Sequence, residues 1–267
     1  IPPREYVQGD LLYGDYLYDE QGNRFGEEIV ALRRDYRERK MLADLALQED
    51  KPVVALTDGP LELYREPRES REYQVTLRSY LNVLKQLAKL QTAAAGYVDK
   101  PRSDLVIRLL ELVKMGEENL EEAGKTRPFR NLSDADIYSE FLNPGCRSAI
   151  FRIQSPAVDH FSGELALHFF YLNVGRGVKD QSDLARVEIP KWVVDNTLLL
   201  NALHSVLVEQ CKILGGRPYP YILHRAHEIA VVRRTEKQDL LNMIMTEQYR
   251  QGGPVGKISN KQALKDL

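Results

Sequence analysis

Three groups of side chains in this sequence are able to do phosphoryl-transfer chemistry. Asp58 follows the mostly apolar run Pro52-Val-Val-Ala-Leu-Thr57 and precedes Gly59-Pro60, so a buried strand is expected to break into a turn at a carboxylate. Strand-end carboxylates are where metal-dependent phosphoryl-transfer sites place ligands, yet an Asp-Gly turn is also formed by an aspartate bonding its own backbone. Glu38 sits among Arg33, Arg34, Arg37, Arg39 and Lys40. Such a cluster binds phosphates in some proteins and is a solvated face of local ion pairs in others. The two groups gain meaning together: if the Glu38 helix packs on the strand ending at Asp58, both carboxylates could share a divalent cation while Arg33, Arg34 and Arg37 hold a DNA backbone. The third group is Tyr219-Pro-Tyr-Ile-Leu-His-Arg-Ala-His-Glu228. Its His224 and His227 lack the further Cys or His residues of a zinc site and the HExxH spacing of metalloproteases. His227, which follows the small Ala226, is the candidate for metal binding or proton transfer, with a structural histidine as the alternative.

Other motifs point away from chemistry. Glu188-Ile-Pro-Lys191 approaches the Asp…Glu-x-Lys pattern of restriction-type nucleases, but the spacing is one residue too long and a proline intervenes. No GxxxxGK[ST] or GxGxxG sequence is present, which argues against nucleotide hydrolysis by the chain itself. Cys146 and Cys211 are too few for a disulfide framework or a Cys-based zinc site and are expected to be small buried residues. Trp192, the one tryptophan, is expected to be a packing anchor at a helix start.

The elements that must position these residues follow from hydrophobic spacing. Residues 27–48 read as an amphipathic helix with Ile29, Leu32, Tyr36, Leu42, Leu45 and Ala46 recurring mostly at three- and four-residue steps, and with Arg33, Arg34, Arg37 and Glu38 largely off that stripe. After the 52–57 strand, residues 73–92 form a second helix through Leu77, Leu81, Leu84 and Leu87, and 93–98 a strand. A third helix over 104–122 is expected to bury Leu105, Leu109, Leu112 and Val113 and to solvate its glutamates. Ser133 caps a short helix that ends at Pro144-Gly145. Extended segments at 149–154, 165–174 and 185–189 precede helices at 191–214 and 221–233, with helix continuing towards Arg250 and a loose tail from 251. The first 25 residues read as loops around short extended segments. Strands and helices mixed along one length predict a single α/β domain over residues 1–267 with helical insertions.

Composition sets the class. The 267 residues carry 37 basic and 39 acidic side chains, a formal charge of −2, with 43% hydrophobic residues. An ordinary globular protein is expected, and disordered and collagen-like classes are excluded. No window holds the uninterrupted apolar run of a membrane span, and no basic-then-apolar leader opens the sequence, so a cytoplasmic location is expected.

The order of these motifs resembles the NurA-type nucleases of archaea and bacteria. The resemblance rests on Arg34-Asp-Tyr-Arg-Glu38, Val54-Ala-Leu-Thr-Asp58-Gly-Pro-Leu61 and Gly145-Cys-Arg-Ser-Ala-Ile-Phe151. It continues through Ala185-Arg-Val-Glu-Ile-Pro-Lys-Trp192 and Tyr219-Pro-Tyr-Ile-Leu-His-Arg-Ala-His227. It spans roughly residues 29–232. It implies an RNase H-like mixed sheet flanked by helices, a homodimer, and a Mn²⁺-dependent nuclease, with Mg²⁺ as the alternative ion. The implied activity is 5′ to 3′ digestion of single- and double-stranded DNA and endonucleolytic cutting of single strands, in end resection for recombinational repair. The implied partner is a HerA-type hexameric ATPase that translocates DNA. Residue by residue, the family's helix glutamate falls on Glu38, its second aspartate on Asp58, and its C-terminal tyrosine and histidine on Tyr219 and His227. Glu38, Asp58 and His227 are the implied metal ligands. The family opens on an Asp-Gly-Ser strand whose Asp is a principal ligand; Ile1-Pro-Pro-Arg4 resembles the residues just C-terminal to that motif, so the resemblance puts this Asp before Ile1. A nuclease-derived module that only binds DNA or docks on the ATPase is the alternative.

Overall fold

The structure is a computed structural model, and it describes residues 4–10, 14–18, 22, 24–50, 52–63, 70–116, 118–119, 124–155, 158–175 and 183–252. The expected tail from 253 onward, Ile1-Pro-Pro3 and much of the Tyr13–Asn23 loop region lie outside the described residues. The chain divides into two compact units, residues 9–224 and residues 1–8 with 225–267.

In the larger unit, helix α1 (Glu27–Ala46) leads to strand β1 (Val54–Asp58), helix α2 (Arg71–Lys89) and strand β2 (Ala93–Asp99). Helices α3 (Leu105–Met115) and α4 (Asp134–Phe141) come next, then strands β3 (Phe151–Arg152), β4 (Leu167–Asn173) and β5 (Leu184–Pro190). Helices α5 (Lys191–Val194) and α6 (Thr197–Ile213) close the unit, and α7 (Tyr221–Ala230) straddles the division. Among the described residues the strands make a five-stranded mixed sheet in the order β1-β2-β5-β4-β3, with β1 and β2 parallel and every other pair antiparallel. This is the expected α/β architecture of a mixed sheet flanked by helices.

Alternation along the strands separates two apolar layers. Phe170 and Leu172 of β4, with Ala185, Val187 and Ile189 of β5, join the main core. Phe169, Tyr171 and Leu184 point the other way and pack with Val106 of α3 and the partly buried Tyr138 of α4. Helix α1 packs on α2 and β1, which brings the Glu38 helix against the Asp58 strand as the charge argument requires. Trp192 is buried and donates its indole N–H to the Thr92 carbonyl at 2.9 Å, and Ser133 caps α4 in a reciprocal box with Asp136. Both agree with the sequence reading.

Four expectations are corrected. Helix α3 turns its opposite side inward: Val106, Ile107 and Glu111 are buried, whereas Leu105, Leu109 and Val113 are exposed. The cause is polar pairing, because Glu111 has no exposed surface and accepts from the guanidiniums of Arg108 and Arg127 and from the Phe129 N–H at 2.9 Å. A fully paired carboxylate outcompetes a leucine for that position. Arg39 is likewise buried, lying over the Tyr80 ring and donating to the Asp35 and Pro60 carbonyls at 2.9 Å, so it leaves the phosphate-binding cluster. The single helix expected over 191–214 is two, because the Asn196 side chain caps a new start by accepting from Leu199 N–H. Cys146 is exposed beside the Pro144-Gly145 turn, whereas Cys211 is buried as expected.

The smaller unit contains residues 4–8, the end of α7 and helix α8 (Arg234–Arg250), which buries none of its residues. Within it Arg225 bridges Glu5 at 2.8 Å and Glu228 at 3.2 Å.

Candidate nuclease site

The site is built at the end of β1. Asp58 is the last residue of the strand and is exposed; Gly59 follows in the left-handed region, φ 92°, and still donates to the Tyr97 carbonyl at 2.8 Å. A side chain with a Cβ is strained at that φ, so the glycine is what lets the chain leave the sheet immediately after the carboxylate. In the parallel register Asp58 lies opposite Tyr97, which places Asp58, Tyr97 and Asp99 on one face.

Tyr219 completes this face. Its hydroxyl donates to Asp58 Oδ1 at 2.9 Å, and its ring stands edge-on to Tyr97 at 5.5 Å between centroids. Tyr97 is in turn buried and lies 3.8 Å from the Cys211 sulfur on α6. Desolvation, then the Asp58 charge, raise the Tyr219 hydroxyl far above its ordinary range. Tyr219 therefore stays protonated at neutral pH and acts as a donor, not as a base.

Glu38 approaches from α1. Desolvation by the surrounding protein pushes its carboxyl above the ordinary range, Arg39 opposes this, and the charges of Asp35 and Asp58 add to it. Asp99 behaves the same way: desolvation raises it, Lys100 opposes, and Asp58 and Asp183 add. The strand ends thus hold mutually repelling carboxylates, a pattern characteristic of functional sites.

The turn after Asp58 is held from the other face of the sheet. Leu61 donates its N–H to Glu188 Oε2 at 2.9 Å, its carbonyl accepts from Tyr80 at 2.6 Å, and Arg39 donates to the Pro60 carbonyl at 2.9 Å. Gly96 lies beneath the turn: a Cβ there would stand 2.5 Å from Leu61 N and 2.7 Å from the Gly59 oxygen. Sequence reasoning missed Asp99, Glu188 and Gly96 as parts of this site. Asp99 had a signal, a carboxylate closing an apolar strand as Asp58 does; Glu188 stood in two of the motifs singled out above, but neither pointed to the Leu61 backbone, and Gly96 had no signal, because its partners are distant in sequence.

Of the predicted site residues, Glu38, Asp58 and Tyr219 converge. His227 is exposed and belongs to the smaller unit. Arg33 lies 4.6 Å over the Phe25 ring, and Arg37 pairs with Asp10. Arg34, with a side chain 71% exposed and a 3.4 Å contact to Asp35, is the most open of the three. Among the described residues no group of three His, Cys, Asp or Glu side chains could hold a metal ion. Two carboxylates nevertheless suit a Mg²⁺-like ion, which is commonly held by one or two of them plus water and substrate phosphate, and the hard oxygen donors fit Mn²⁺ equally.

A family model described as the NurA domain matches residues 6–232. The chain belongs to the NurA family. No curated protein and no solved structure matches it. The matched span includes every NurA-like motif and both strand ends of the site, and it assigns the protein to a nuclease family involved in DNA end processing. Among the described residues, no helix is long and apolar enough to cross a membrane.

Proposed function

We propose that this NurA-family protein is a Mn²⁺-dependent deoxyribonuclease on an RNase H-like core, with Mg²⁺ as the alternative ion. It digests DNA 5′ to 3′ on single and double strands, cuts single strands internally, and resects ends as a homodimer with a HerA-type hexameric ATPase. The observation that carries the reading is the hydrogen bond from Tyr219 to the strand-end carboxylate of Asp58, whose charge also acts on Glu38 of α1. A divalent ion in such a site supplies charge neutralisation at the scissile phosphate and a water activated for attack. Asp58 and Glu38 would hold the ion, Tyr219 orients the Asp58 carboxylate by donating its one hydroxyl proton to it, and Arg34 meets the backbone without reading sequence. The resemblance gives His227 the role of metal binding or proton transfer.

The test is digestion of end-labelled linear and single-stranded DNA with Mn²⁺, with Mg²⁺ or with chelator. Cleavage that survives chelation, or that is unchanged in Asp58→Ala, overturns the reading. A second reading, a module that binds DNA or docks on the ATPase without cutting, is favoured by the lack of a three-donor group among the described residues. It predicts DNA binding and no cleavage with any ion.

A further inference from the structure

We infer that Glu188 is a positioning residue of the nuclease site, acting through the backbone of Leu61 to set the Asp58 carboxylate; this rests on the functional reading above. Glu188 is a carboxylate with 3% exposure on β5, the third strand of the sheet, 127 residues from Leu61 in sequence. One oxygen accepts the Leu61 N–H at 2.9 Å and the other accepts from Arg186 at 2.7 Å. Arg186 also donates to Ser103 Oγ at 3.1 Å, and Ser103 meets the Tyr171 hydroxyl at 3.0 Å. The carboxylate is therefore anchored on its own side of the sheet before it reaches the turn.

The register explains how it reaches. Glu188 lies opposite Gly96, and Gly96 is the position without a Cβ over which residues 59–61 cross. Any larger residue at 96 lifts the turn off β2 and takes the Leu61 N–H out of range. Asp58 and the turn thus use opposite faces of the sheet: the carboxylate points to Tyr219, while the three residues after it are clamped between Glu188, Arg39 and Tyr80. With the strand ladder on one side and this clamp on the other, the backbone of Asp58 has little freedom left. A ligand held so loosely that it moves by about 1 Å loses much of its value to a metal or a reacting phosphate.

Two conservative variants of the full chain separate reach from charge. E188D keeps the charge and shortens the reach; E188Q keeps the reach and removes the charge. Mn²⁺ affinity, followed by the free-ion paramagnetic resonance signal, is expected to weaken at least fivefold in E188D and to stay within threefold of wild type in E188Q, with kcat following the same order and KM for DNA unchanged. A merely structural Glu188 would lower thermal stability in either variant and leave Mn²⁺ affinity alone below the melting transition. Affinities equal to wild type in both, or weaker in E188Q than in E188D, overturn the inference. Binding and position are reciprocal, so Mn²⁺ should also slow amide exchange in a 59–63 peptide of the wild-type protein. If the variants do not fold, the absence of that protection overturns the inference. A wild type that binds no Mn²⁺ and cuts no DNA overturns the functional reading as well; a wild type that does both, beside an unaffected E188D, overturns this inference alone.

Discussion

Two regions of the larger unit gather carboxylates and treat them in opposite ways. Around α3, Glu111 is buried among two guanidiniums and a backbone N–H, and Asp134 accepts from the N–H groups of Val106 and Ile107 at 3.0 and 2.8 Å and from the Tyr171 hydroxyl. Burial alone would raise Glu111, but those donors outweigh it and hold its carboxyl below the ordinary range. Around the ends of β1 and β2 the order is reversed: Glu38 of α1 and Asp99 of β2 are raised by desolvation and by neighbouring negative charge. Saturated carboxylates hold structure together. Carboxylates kept beside others of like charge repel, a pattern that marks candidate functional sites.

Exchanging the two roles by mutation would break this contrast. Asp58→Asn should cut DNA cleavage by more than about 100-fold, the upper range for merely outer partners of a metal, while leaving the urea midpoint unchanged or raised. Asp134→Ala should do the converse, losing on the order of 3 kcal/mol in urea titrations because two buried N–H groups lose their acceptor, with unaltered cleavage per folded molecule. If Asp134→Ala abolished activity in protein shown to be folded, the division between the regions would fail.

The contrast was only half visible in the sequence. Asp58, Gly59, Ser133 and Trp192 act on neighbours or at element ends, where turn and cap chemistry is local, so their roles could be read from a few residues. Glu111, Arg39 and Glu188 act across 16 to 127 residues, and a charged residue on an amphipathic helix or strand gives no sign of an inward-facing partner. The helix α3 reading failed for that reason: its leucines fit an apolar stripe, but the ion pairs of Glu111 set the rotation. Glu38, Asp58 and Tyr219 were legible as candidates, whereas the turn clamp behind Asp58 depends on contacts that only folding creates.

Smaller effects sharpen the comparison. Tyr219→Phe removes the neutral donor that the Tyr219 hydroxyl gives Asp58 and should slow cleavage about tenfold, with thermal stability little changed. The pH dependence has a defined sign. A carboxyl raised in the folded state, as Glu38 is, adds stability that is complete below its unfolded value of 4.5 and is lost as pH rises through the folded value. Metal-free wild type should therefore lose stability relative to E38Q between about pH 4.5 and neutrality, and Mn²⁺ at neutral pH should reverse the difference in a thermal-shift assay. The smallest effect is expected at Arg34: its alanine variant should weaken DNA binding less than about threefold and lower the salt slope by about one.

The lone indole gives the molecule a built-in optical reporter with a limited field of view. Trp192 is locked to Thr92 at the opening of β2, so its emission follows the sheet, whereas α8, without one buried side chain, adds to far-ultraviolet dichroism and not to the indole's surroundings. Denaturation curves recorded by the two signals coincide only if both compact units melt together. Their separation, in molar urea, would measure how independently the strand-end site and the C-terminal helix hold their folds.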